Sequence, residues 1–70
     1  MNTQTNTFDV IFNDSEGSNN MGWERSLEYC KNYIINHNCT NKSYFADYKG
    51  GSVSVICNET EEIVYEETVR

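Results

Sequence analysis

Three short segments of this chain carry apolar residues with a period of two. Phe8, Val10 and Phe12 share one side of the first, Val53, Val55 and Cys57 one side of the second, and Ile63, Tyr65 and Val69 one side of the third. Side chains of an extended strand point alternately to the two faces of a sheet, so each set marks a face to be buried. Between the first and second segments, Trp23, Leu27, Cys30 and Ile34 recur at i, i+4, i+7 and i+11, which draws a single stripe along a helix. The pattern predicts an α+β fold: an antiparallel sheet of three or four strands with one helix packed on one face, in the order β-α-(β)-β-β.

Seventy residues make one small domain, 1–70, with the polar residues 1–6 expected to fray. The first strand is expected over residues 7–13. An exposed loop should follow over 14–20, where turn-forming residues collect, and then a helix from about Gly22 to Asn36. Residues 43–48 suit either a short strand or a packed connector. Gly50 and Gly51 turn the chain into a strand over 52–57, and a loop at 58–61 leads to a last strand over 62–69. The expected core is Phe8, Val10, Phe12, Trp23, Leu27, Cys30, Ile34, Val53, Val55, Ile63 and Tyr65.

Eleven acidic residues against five basic ones give a formal net charge of -6. A surface of that sign repels nucleic acid and anionic lipid and favours a protein partner with a basic surface. The chain opens without a basic, then apolar, leader and has no apolar run of membrane-spanning length, so a cytoplasmic location is expected. With no signal peptide, the sequons at Asn38, Asn41 and Asn58 read as products of an Asn-rich chain. Cys30, Cys39 and Cys57 lack metal-ligand spacing; Cys30 and Cys57 fall on inward faces, and Cys39 sits in a polar connector. His37, the single histidine, stands beside asparagines at the expected helix end, where Asn tolerates the left-handed conformation. Asp14, Glu16, Ser18 and Asn20 alternate in the first loop but lack the closing acid and the placed glycine of a calcium loop. No catalytic, metal or cofactor residues are assigned, and a non-enzymatic protein is expected, because acid–base catalysis needs converging titratable groups.

One helix covers one face of an antiparallel sheet and leaves the other open. With Phe8, Val10 and Phe12 turned to the helix, Ile11, Ile56 and Val64 turn outward. They form an apolar centre with polar neighbours, the layout of a small interface. The C-terminal hairpin carries Glu59, Glu61, Glu62, Glu66 and Glu67, and Glu62, Glu66 and Glu67 are expected to rim the open face. The partner-binding set is therefore Ile11, Ile56, Val64, Glu62, Glu66 and Glu67. A homodimer through the same face is the alternative.

The sequence has one strand, a loop ending in Gly22-Trp23, a helix containing Ser26-Leu27-Glu28-Tyr29-Cys30-Lys31, and a closing hairpin from Gly51-Ser52-Val53-Ser54-Val55 to Ile63-Val64-Tyr65. This layout resembles small uncharacterised proteins encoded by bacteria, their phages and mobile elements. Some small acidic phage proteins of this size and layout are anti-CRISPR inhibitors, which act by occupying a host complex. The resemblance implies a binding protein that engages a host or phage protein, and transfers no individual binding residue.

Overall fold

In a computed structural model that describes residues 6–42 and 44–70, the two most apolar strands lie side by side at the centre of a sheet. Of the segment expected to fray, residues 1–5 lie outside the described residues. Strands β1 (Phe8–Asp14) and β2 (Gly17–Asn20) form one hairpin. Helices α1 (Leu27–His37) and α2 (Tyr44–Asp47) follow, and β3 (Ser52–Cys57) and β4 (Ile63–Thr68) form the second hairpin. The sheet order is β2-β1-β3-β4 and every pairing is antiparallel. The fold is a small α+β fold with a four-stranded sheet and α1 packed against it.

The fourth strand is not where the uncertain segment lies. Residues 17–20, expected to be loop, pair with β1 from Ile11↔Asn20 to Asp14↔Gly17, leaving Ser15 and Glu16 as the turn. The Asp14 carboxylate accepts from the Glu16 backbone N–H at 2.9 Å and fixes that turn. Beyond Asn20 the chain remains beside β1: the Met21 N–H donates to the Val10 carbonyl at 2.9 Å, and Phe8 and Arg25 exchange both backbone hydrogen bonds, at 2.8 and 3.0 Å. The helix therefore starts at Leu27, five residues later than Gly22. Ser26 is its N-cap, and the Ser26 Oγ accepts from the Tyr29 N–H at 3.1 Å. Trp23 lies outside the helix and packs edge-on against Tyr33, with ring centroids 4.9 Å apart.

Asp9 holds this departure in place. Its carboxylate is buried, with Oδ1 accepting from the N–H groups of Val10 (2.7 Å) and Trp23 (2.9 Å). Oδ2 accepts from the Gly22 N–H and the Asn20 amide, both at 3.0 Å. Gly22 has φ +80°, a left-handed conformation that a side chain would strain.

The helix side of the sheet is lined by Val10, Phe12, Val53 and Val55, all fully buried, with Cys30 and Ile34 set against them from α1. Of residues 43–48, which suit either a short strand or a packed connector by sequence, Ser43 lies outside the described residues and 44–47 form a helical turn. Phe45 projects from it into the core and meets Phe12 edge-on at 4.9 Å. Val69 is also fully buried. Phe45 and Val69 thus belong to the core, while Phe8, Trp23, Leu27 and Tyr65 pack around it half-buried. Each large apolar side chain withdrawn from water contributes roughly 1.5–3 kcal/mol.

The end of α1 is joined to the end of β4 through Asn38. Its amide nitrogen donates to Glu67 Oε1 (3.0 Å) and to the Thr68 carbonyl (2.9 Å). Its carbonyl oxygen accepts from the N–H groups of Cys39 (3.0 Å) and Arg70 (2.9 Å). Asn38 itself is extended at φ -64°, and the left-handed residues expected here prove to be Cys39 (φ 72°) and Asn41 (φ 61°). Gly51 completes the return into β3, where a Cβ would stand 2.2 Å from the Asn13 carbonyl oxygen, so no larger residue fits.

Candidate interaction surface

The register of the sheet decides which residues share its open face. Asn20, Ile11, Ser54 and Glu66 form one row across the four strands, and Asn13, Ser52 and Thr68 lie in the next row on the same side. Between Val55 and Ile56 the β3–β4 register shifts by one: Val55 pairs with Tyr65 but Ile56 pairs with Ile63, so Val64 is the extra residue of a β-bulge. A slip of one residue moves a side chain to the opposite face. Ile63, expected in the core, therefore lies beside Ile56 on the open face and is 57% exposed; Val64 is 45% exposed.

The open face brings together four of the six residues assigned from sequence, Ile11, Ile56, Val64 and Glu66, and adds Ile63. Ile11 and Ile56 are half-buried. Glu66 stands on this face, and its carboxylate accepts from Ser54 Oγ at 3.2 Å. Glu62 is exposed at the mouth of the hairpin, where its backbone carbonyl accepts from the Cys57 N–H at 2.9 Å. Glu67 departs from the expectation. It pairs with Val53, whose side chain lies on the helix side, and its carboxylate accepts from Asn38 and from the Tyr65 hydroxyl. It is therefore not part of the open-face rim. Glu59 likewise has a tying role, accepting from the Thr7 N–H at 2.9 Å and from the Thr7 hydroxyl at 3.1 Å.

These contacts set the charge behaviour of the hairpin. Hydrogen bonds from Tyr65 and then Asn38 favour the ionised form of Glu67 and hold its pKa below the ordinary 4.5. The same bond to Glu67 raises the Tyr65 phenol above 10.0, because ionising it removes the donated proton. A carboxylate whose folded pKa is depressed contributes stability that is fully present above its unfolded pKa. That stability is lost as the pH falls through the folded value. Glu67→Gln should accordingly lower the urea midpoint at neutral pH, and the gap from the parent should close on acidification below 4.5. A gap that stays constant with pH would show that the Glu67 charge does not stabilise the fold.

The remaining reactive side chains sit elsewhere. Cys30 and Cys57 are buried and Cys39 is exposed; all three are free thiols. Burial, with Asp9 adding to it, pushes the Cys30 thiol up to about 11, which keeps it protonated and unreactive. His37 Nδ1 lies 2.9 Å from the Tyr33 carbonyl, which can only accept, so Nδ1 carries the hydrogen. Among the described residues, no three His, Cys, Asp or Glu side chains converge as a metal-binding group. No helix among them is long and apolar enough to cross a membrane.

Comparison with protein-family models, curated proteins and solved structures finds no match to this chain.

Proposed function

We propose that this chain is a non-enzymatic, acidic binding protein of phage or mobile-element origin, working in the host cytoplasm by engaging a basic surface on a host or phage protein. The observation that carries the reading is the aliphatic centre of the open face, Ile11, Ile56, Ile63 and Val64, with Glu66 on the same face and Glu62 exposed at the mouth of the hairpin. Apolar contact supplies affinity, and the carboxylates select a partner of opposite charge and speed encounter with it. Inhibition of a bacterial defence complex is the form of binding that the likeness to anti-CRISPR proteins suggests, with occupation of the target as its mechanism. The Ile56↔Ile63 pair supports a second reading, a structural homodimer through the same face.

A variant with Ile11, Ile56 and Ile63 changed to Ser tests both. Its folding is checked first by circular dichroism. In affinity capture from host lysate, the parent should retain a complex at low salt that the folded variant loses. Capture unaffected by the three substitutions would exclude this face. A mass in sedimentation that rises with protein concentration for the parent alone would select the homodimer.

A further inference from the structure

We propose that β4 accepts an extended, Lys- or Arg-bearing segment of the partner as a fifth strand. The proposal rests on the reading of a basic protein partner and specifies how such a partner is held. Among the described residues, strand β4 is an outer strand paired only with β3, so its other side offers backbone groups for a further strand. The opposite edge, β2, is four residues of Gly17-Ser18-Asn19-Asn20 and offers no apolar side chain to a neighbour. Strand β4 runs for six residues and starts with the exposed Ile63 and Val64. Its far end is closed, because the Thr68 carbonyl is already taken by Asn38, which leaves residues 63–67 to receive a segment.

Charge selects the occupant. From Glu59 to Val69 the chain has five Glu and neither Lys nor Arg. Pairing β4 with β4 of a second copy brings carboxylates against carboxylates, and like charges across a strand pair are destabilising. A segment carrying Lys or Arg reverses the sign of that interaction. Counting the bulge as one position, Ile63 and Glu66 are two positions apart on the open face. The complementary segment therefore carries an aliphatic residue and, two positions away, a Lys or Arg.

The test uses a capped heptapeptide, Thr-Lys-Thr-Val-Thr-Lys-Thr, titrated into the whole protein. The control is the same peptide N-methylated at alternate backbone nitrogens, which keeps charge and side chains but cannot join a ladder. The expected result is slowed hydrogen exchange at β4 amides within residues 63–67. N-methylation should weaken binding by about tenfold or more, matching one or two lost backbone hydrogen bonds. Equal affinity of the two peptides, no binding at millimolar peptide, or protection of these amides by protein concentration alone would each overturn strand addition. If both peptides bind equally and the Ile11/Ile56/Ile63→Ser variant loses both, the open-face reading survives and only strand addition fails.

Discussion

Replacing Phe45 with Ala is expected to cost about 3–5 kcal/mol of stability, whereas Ile63→Ala should stay within about 0.5 kcal/mol of the parent. Phe45 is fully buried and packs edge-on against Phe12, with the Tyr33 ring 5.6 Å away on another side. Its removal leaves a void between α1, α2 and the sheet that neighbouring side chains fill only in part. Small domains are stable by roughly 5–15 kcal/mol, so the loss is a large share of the total. Ile63 is turned to solvent by the bulge and has little burial to lose. Urea unfolding followed by circular dichroism reads both variants. A costly Ile63→Ala beside a silent Phe45→Ala would mean that β4 pairs without the bulge and that α2 does not pack on the sheet.

Asp9 gives the second large effect. Its carboxylate satisfies three backbone N–H groups and the Asn20 side chain in a buried site. Removing an acceptor that leaves buried donors unpaired costs about 1–3 kcal/mol for each group not rescued by water. Asp9→Ala should therefore lose about 3 kcal/mol or more. Asp9→Asn should do little better, because its amide nitrogen would face a donor where an oxygen now accepts. Hydrogen exchange at the Gly22 and Trp23 amides provides a local readout beside the global unfolding curve. If both amides stay as protected in Asp9→Ala as in the parent, the carboxylate is not what holds this segment to β1.

Where apolar periodicity was strong, the sequence was a reliable guide. β1, β3 and the stripe Leu27, Cys30 and Ile34 follow directly from residue spacing, and with them the α+β class. Strand β2 carries no such signal, because Gly17-Ser18-Asn19-Asn20 is polar on both faces and its pairing comes from a two-residue turn held by Asp14. The helix starts later than the stripe predicts because Trp23 fits the helical spacing, while the Phe8–Arg25 bridge ties Arg25 back to β1 just ahead of the Ser26 cap. Residues 44–48 include three aromatics within five positions, a run that fits either a short strand or a packed connector; packing against Phe12 decides it. On the candidate surface, alternation placed Ile11 and Ile56 correctly. It fails at Ile63, because a bulge interrupts the period of two without leaving a mark in composition; Glu67 keeps the phase of Tyr65 and Val69 and lies on the helix side, and the expectation that it rims the open face follows its charge against that alternation.

The strand order also dictates how the chain must assemble. Each hairpin joins neighbours in sequence, and such units form on their own within about 1–10 μs. The central pair, β1 with β3, matches Phe8 to Cys57 and so waits until everything between them has been gathered in. Neither hairpin buries its apolar face alone, so both stay transient until they dock. The meeting of the two ribbons across the middle of the sheet is therefore expected to be the slow step, with loop closure setting its rate more than the strength of any single contact.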